Sequence, residues 1–418
     1  MNIPVISLTA LFVAIVVSCV SRLNVGFLSL VLSFAIGLGL AGMKVPEVAA
    51  GFPVTLFLTL VAVTLLFSQA RVNGTLDKLA RLSLKLSLGN AGLIPMVFFG
   101  LGLCLSMIGP GNIAATALLA PIAMDVAAKA GIPGFLMAIM LVNGANAGSL
   151  SPFSPTGLIA NGLLSKIGVQ GVEWQSFFNT LVSHSIVAFL GYFAFGGIRL
   201  FKRQTTEAAE GLSRESIEPF DHNQRLTLGV IGALLAAVIG FHLDVMIGAF
   251  VSAVLLSLMR AADEEQAIKA IPWSVILMVS GVTVLIGLLE KTGGMDLFTS
   301  ILARFSTETT VTGMIAFVTG LISVYSSTSG VVLPAFLPVI PGLIVKLGGG
   351  DPLAIASSII VGANLVDVSP LSTLGALCLA HAPANQDRAK LFNQLLAWGL
   401  SMALVGAIVC FVLFGLLW

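Results

Sequence analysis

The chain has 418 residues, 57% of them hydrophobic and 9% charged, with a formal net charge of +1. Its mean hydropathy is +1.06. Soluble domains carry about 25% charged residues, so this composition excludes an ordinary soluble protein, and the balanced charge offers nothing to nucleic acid.

Apolar runs over 3–20, 177–198 and 391–418 are long enough to cross ~30 Å of hydrocarbon as helices. The ~10-residue alternation of barrel strands is absent. The expected fold class is therefore an all-α polytopic membrane protein in a lipid bilayer. In chain order, the N-terminal stretch MNIPVISLTA has neither a basic region nor a cleavage signature, so 3–20 reads as a retained span rather than a signal peptide. Scaffold spans follow over 4–21, 25–42 and 52–70. The stretch 75–88 is amphipathic: Lys78, Arg81 and Lys85 share one face, and Leu79, Leu82 and Leu86 another. Such a helix lies in the interface. Next come two apolar pieces, 92–107 and 113–129, around the tip MIGPGN, read as a re-entrant hairpin over 92–129. A broken span, 135–149 with 152–165, and a last span, 177–198, complete residues 1–198.

A polar linker over 199–225 divides the chain, and 226–418 repeats the layout. Its spans are 226–241, 243–260 and 272–290, all within 226–290. Its interfacial helix is 295–306, with Leu297, Phe298, Ile301, Leu302 and Phe305 as the apolar face. Its hairpin, 311–346, turns at YSSTSG, its broken helix is 353–381, and its last span is 391–417. Gly144-Ala145-Asn146 recurs as Gly362-Ala363-Asn364, Ser151-Pro152 as Ser369-Pro370, Ser154 as Ser372 and Gly157 as Gly375. All share one offset, 218 residues. Internal repeats of this kind are common in secondary transporters.

Five crossings per half, one of them broken, plus one hairpin make about ten spans and two hairpins in all. An odd number of crossings inverts the second repeat relative to the first. With the linker placed in the cytoplasm, all but Lys44, Lys166, Lys291, Arg304 and Lys346 of the 20 basic residues fall inside. That is the bias the positive-inside rule expects. Both termini are then expected outside the cytoplasm. The cysteines Cys19, Cys104, Cys378 and Cys410 lie in apolar stretches without CxxC spacing and read as packing residues.

Non-helical backbone at membrane depth is tolerated only where protein buries it or a cavity wets it. The two hairpin tips and two broken spans are therefore expected to meet around a polar chamber. Ser151-Pro152, Ser154-Pro155 and Ser369-Pro370 each offer a hydroxyl cap followed by proline at the first helical position. Helix starts there would aim free N–H groups at an anion, particularly a carboxylate. The candidate substrate-binding residues are Asn112, Ser151, Ser154, Thr156, Ser327, Thr328, Ser329, Ser369, Ser372 and Thr373. Candidate cation ligands are Asn112, Gly144, Asn146, Ser149, Ser329, Asn364 and Asp367, with Na+ at Asn112, Asn146, Asn364 and Asp367 as one possibility and a proton as the other. Asp367 is the one carboxylate inside a break, and an acid at membrane depth is a functional candidate by default. No arginine or lysine lies in any of the four breaks, so an anion is expected to be neutralised by helix termini or a co-bound cation, not by a salt bridge. His184 and His381 read as packing residues. No cofactor is expected.

The motifs GANAGSLSPFSPTG and GANLVDVSPLSTLG, with paired hairpins and interfacial helices, resemble the ion transporter superfamily. Within it the chain resembles the dicarboxylate carriers of the malonate carrier (MatC-like) family, over essentially its whole length. Their relatives, the divalent-anion sodium symporters, carry a Thr-Pro or Ser-Pro step in each broken helix, which Ser151-Pro152 and Ser369-Pro370 match. Those symporters also carry Ser-Asn-Thr triplets at the hairpin tips. Here the tips read Gly109-Pro110-Gly111-Asn112 and Ser326-Ser327-Thr328-Ser329. The resemblance implies a homodimer, with a scaffold and a mobile transport domain in each protomer that moves as an elevator. It implies an inner-membrane secondary transporter of a C3–C4 dicarboxylate such as malonate or succinate, driven by Na+ or H+ symport. Two other readings stay open: a cation/proton antiporter exchanging at Asp367, and an intramembrane enzyme. The enzyme reading lacks HExxH and GxSxG motifs, and no GxxxxGK[ST] loop is present to power a nucleotide-driven pump.

Overall fold

In the computed structural model the chain is built from helices joined by short turns, described over residues 2–21, 23–84, 90–201, 219–241, 243–382 and 386–418. Among these residues, 8 helices are long and apolar enough to cross a membrane, and shorter apolar helices such as Val25–Gly39 and Val245–Leu258 lie between them. Large apolar side chains point outward along several of them, including Val31 (64% exposed), Leu190 (66%) and Val251 (63%). An outer surface of this kind is stable only against hydrocarbon. The chain is a multi-pass membrane protein.

The helices follow the expected order. The first half runs through Ile3–Val20, Val25–Gly39 and Val54–Val72, the amphipathic Thr75–Leu84, the pair Leu93–Ile108 and Gly111–Lys129, then Gly134–Gly148, Pro155–Lys166 and Glu173–Ala194. The second half runs through His222–Phe241, Val245–Leu258, Trp273–Thr292, Gly294–Ala303, Val311–Ser323, a return piece ending in Ile340–Leu347, Pro352–Leu365, Thr373–Ala380 and Arg388–Cys410. Three short helices were not foreseen among the described residues: Val45–Ala49 and Glu264–Ala270, one before the third span of each half, and Gly197–Leu200 after the last span of the first half. The end of the first interfacial stretch (85–88), most of the linker (202–218) and His242 lie outside the described residues. So do Arg22, Lys85, Lys202, Arg203 and Arg214, which entered the charge argument.

Residues Gly134–Gly148 are buried without exception, and so are those of Pro352–Leu365 from Leu353 onward. A helix apolar all round must be surrounded by other helices, and these two are. Leu93–Ile108 and Glu173–Ala194 flank the first; Val311–Ser323 and Arg388–Cys410 flank the second. Glycine sets the spacing. A Cβ on Gly144 would overlap the backbone of Phe99, and one on Gly362, its counterpart, would overlap the backbone of Ala316. Small residues at such crossings let backbones approach closely.

Contacts between the halves are reciprocal. Val25–Gly39 packs on Trp273–Thr292, and Val54–Val72 packs on Val245–Leu258. Gly111–Lys129 of the first hairpin packs on Thr373–Ala380, while the returning piece of the second hairpin packs on Pro155–Lys166. Amides reinforce the seam: the buried Gln69 Nε2 donates to Ala253 O at 3.1 Å and the half-buried Asn73 Nδ2 to Thr227 Oγ1 at 2.7 Å.

The helix Gly294–Ala303 packs through Phe298 and Leu302, with Phe298 edge-on to Phe12 and to Phe336. Phe305, expected on the same face, is 75% exposed, because the helix ends at Ala303 and the chain turns away. The four cysteines are free, Cys378 and Cys410 are buried, and Cys104 faces outward.

Candidate functional site

The two hairpin tips and the two breaks converge. A polar cavity of about 30 Å³ is lined by Asn112 and Ile113 of the first tip and Thr156 of the first break. The second tip contributes Ser326, Ser327, Thr328 and Ser329, and the second break Asn364, Asp367, Ser372, Thr373 and Leu374. It adjoins a larger cavity of about 150 Å³ that shares Asn112, Ile113, Thr156 and Ser329 as its wall. A cavity needs ~10–15 Å³ to hold one water. The small one therefore suits a water-sized particle or a cation, and the large one a small organic molecule.

Each tip is built by its own chemistry. At the first, Leu93–Ile108 ends and Gly109 turns the chain with φ 149°. A Cβ there would overlap the Phe67 ring. Gly111, at φ 81°, lies against Pro155, so the tip is wedged between Val54–Val72 and the start of Pro155–Lys166. At the second tip Ser327 caps a π-helical turn, Thr328–Val332, by accepting from Gly330 N at 3.1 Å. The serine run therefore supplies the cap through Ser327 and presents Thr328 and Ser329 to the cavity. Ser326 is tied to Ser18 by a 2.7 Å hydroxyl contact.

The second pieces of both breaks start later than Ser151-Pro152 and Ser369-Pro370 suggested; in the first break the start is the Ser154-Pro155 step. Helix resumes at Pro155 and Thr373, with Ser154 and Ser372 as the N-cap residues. Ser151 and Ser369 therefore do not cap these helices. Each instead accepts from a backbone N–H two residues on, Phe153 N and Leu371 N, both at 3.3 Å. Both are fully buried, and neither lines either cavity. The reason is a close approach repeated in both halves: the α-carbons of Gly157 and Gly375 sit against the carbonyls of Ser151 and Ser369, folding 151–154 and 369–372 back under the helix starts. Ser154 Oγ also donates to Ser149 O, and Ser372 Oγ to Asp367 O, the same bond at corresponding positions.

Other expected ligands are placed as follows. Asn112, Thr156, Ser327, Thr328, Ser329, Asn364, Asp367, Ser372 and Thr373 line the small cavity. Gly144 sits at a helix crossing instead, and Ser149 turns its hydroxyl to Asn146 O at 2.7 Å. Asn146 stands just behind the wall. Its Oδ1 accepts from Asn112 Nδ2 at 2.7 Å, and its Nδ2 donates to Asn364 O at 2.9 Å and approaches Asp367 Oδ2 at 3.4 Å. Its side-chain oxygen is thus engaged, and it orients the residues around it. Thr328 Oγ1 is 3.4 Å from Asp367 Oδ1. The Asn364 amide is 1% exposed, yet neither its Nδ2 nor its Oδ1 has a partner. Among the described residues no group of three His, Cys, Asp or Glu could hold a metal. His184 is fully buried away from both cavities, with Nδ1 3.0 Å from Asn143 Oδ1. His381 meets Leu377 O.

One residue was missed. Arg71, which entered the sequence reading only as a cytoplasmic charge, lines the larger cavity with Thr64, Phe67 and Ser68. These four share one face of Val54–Val72, three and four residues apart. No basic residue lies in the breaks themselves, but Arg71 is among the residues that line the larger cavity. The signal in the sequence was this polar stripe inside an apolar span.

Residues 1–149 match the family model described as "Dicarboxylate carrier protein MatC N-terminus". No curated protein matches the chain. Among solved structures, the YdaH transporter of Alcanivorax borkumensis is 16% identical with a TM-score of 0.60, covering 92% of this chain and 90% of its own. MtrF of Neisseria gonorrhoeae, described among antimetabolite efflux pumps, is 14% identical with a TM-score of 0.62, covering 97% and 94%. The chain is thus a membrane protein whose first 149 residues match the N-terminal domain of the MatC dicarboxylate carriers, and whose fold is similar to that of the YdaH and MtrF transporters.

Proposed function

We propose that this protein is a secondary active transporter of a small carboxylate, a C3–C4 dicarboxylate such as malonate or succinate, coupled to Na+ or H+ by symport. The observation that carries the reading is the unpartnered, buried Asn364 amide beside Asp367 in a cation-sized cavity that shares a wall with a larger one. Buried polar atoms are nearly always hydrogen-bonded, so an amide with both atoms free in a polar cavity points to a ligand. Asp367 brings a negative charge close to where a carboxylate would sit. A cation or proton at Asp367 removes that repulsion, which ties the two solutes together. The helix starts at Pro155 and Thr373, with Thr156 and Thr373 at the wall, favour the anion.

In this reading the halves are inverted repeats with ten spans and two re-entrant hairpins, both termini lie outside the cytoplasm, and a homodimer in the inner membrane works by an elevator movement. The larger cavity then opens toward the cytoplasm, since Arg71 and Ala270, at the expected cytoplasmic ends of their segments, border it. The test is uptake of labelled malonate and succinate into proteoliposomes, with sodium and proton gradients imposed separately. Uptake driven by one gradient is expected; absence of gradient-driven uptake of any dicarboxylate would refute the proposal. The antiport reading shares Asp367, and sodium-driven proton movement without any organic anion would favour it.

A further inference from the structure

Beside the larger cavity lies an open depression of about 450 Å³, lined by Arg71, Val72, Asp77, Pro121 and their neighbours. Arg71, Ala117 and Ala270 border both spaces. Arg71 therefore stands at the neck between them. It is, among the described residues, the one basic residue on the walls of these two spaces and of the small polar cavity. Among the described residues it makes no hydrogen bond or ion pair. Asp77, the one acid on the same depression among the described residues, forms no salt bridge with it.

We propose that Arg71 is a substrate-binding residue at this neck. One carboxylate of a dicarboxylate rests on its guanidinium while the other lies at the wall formed by Asn112, Thr156 and Ser329. The inference rests on the carboxylate-transport reading and adds a selectivity to it. A guanidinium presents a rigid, planar fork that matches a carboxylate with two parallel hydrogen bonds. Asp367 lines the small cavity and Arg71 the larger one, so a cation at Asp367 and the Arg71 charge together balance a doubly charged anion. A monocarboxylate needs only the cation at Asp367. Arg71 thereby favours dicarboxylates over monocarboxylates of the same length.

The experiment titrates the purified full-length protein with succinate and with butyrate by calorimetry, using wild type, Arg71→Gln and Arg71→Lys. Arg71→Gln is expected to weaken succinate binding about tenfold or more, the scale of a charged hydrogen bond, and butyrate binding less than about threefold. Arg71→Lys keeps the charge, loses the fork and gives an intermediate loss for succinate alone; it carries the test if Arg71→Gln does not fold. Unchanged succinate affinity in the variants, or equal losses for both acids, overturns the role of Arg71 and leaves the transport reading standing. A wild-type protein that binds neither acid overturns both.

Discussion

Replacing Asp367 by asparagine removes one negative charge and almost nothing else. Asp367 is 5% exposed, and its two side-chain partners, Asn146 Nδ2 and Thr328 Oγ1, both stand at 3.4 Å. These are long bonds, and an amide can keep part of them, so the loss in hydrogen bonding is under ~1 kcal/mol. Against it stands relief from holding an ionised carboxylate away from water. The melting temperature of Asp367→Asn is therefore expected to equal or exceed that of wild type. The effect on coupling is larger. Across a shared wall one residue thick, charges lie ~5 Å apart, and at an effective dielectric of ~20 each pair interacts by roughly 3 kcal/mol. A cation at Asp367 cancels a repulsion of that size, which amounts to about a 100-fold gain in anion affinity and falls in the usual range of coupling between sites. The assay is the Kd for succinate in sodium and in choline at fixed pH, repeated in choline across a range of pH. Wild type should bind more tightly with one of the two cations by up to that factor. Asp367→Asn should bind with the same affinity in every buffer, within about twofold, on the same electrostatic argument. Full cation dependence in the variant would refute the reasoning.

Gly144→Ala and Gly362→Ala each drive a methyl group into the backbone of a crossing helix, and each is expected to destabilise by ~1–3 kcal/mol. Gly229→Ala, with open space around it, should be neutral or stabilising in the same thermal melt. Asn146→Ala strips a donor from Asn364 O and an acceptor from Asn112; a loss of ~2–3 kcal/mol is expected from the groups left unpaired, together with weaker succinate binding, and a melt and binding curve matching wild type would remove Asn146 from its positioning role. Ser154→Ala removes a helix cap, worth ~1 kcal/mol, and should raise the KM for uptake. Ser151→Ala, away from the cavities, should leave that KM unchanged.

Much of this architecture was legible because two copies of one pattern corrected each other. A single Gly-Ala-Asn followed by Ser-Pro says little. Two at one spacing locate both broken helices, and the tips show as the polar stretches MIGPGN and YSSTSG between paired apolar pieces. What could not be read was decided by packing between distant segments. Both Ser151-Pro152 and Ser154-Pro155 satisfy the local rules for a helix start. The choice between them follows from Gly157 pressing on the Ser151 carbonyl. Asn146 reads as a ligand in the sequence, and what could not be read is that Asn112, 34 residues away on a hairpin, donates to its oxygen. Arg71 carried a local signal, the stripe with Thr64 and Ser68, but not the contact that gives the stripe its meaning: Phe67, one turn earlier, meets the tip at Gly109.

The reciprocal seam also bears on how the molecule is made. Synthesis proceeds from the N-terminus, so Gly111–Lys129 emerges long before Thr373–Ala380, the helix it packs against. Until then Asn146 has no Asn364 carbonyl to bind. The first half must wait in the bilayer with its amides unsatisfied, and two fragments divided within 202–218 should mature only when produced together in one cell.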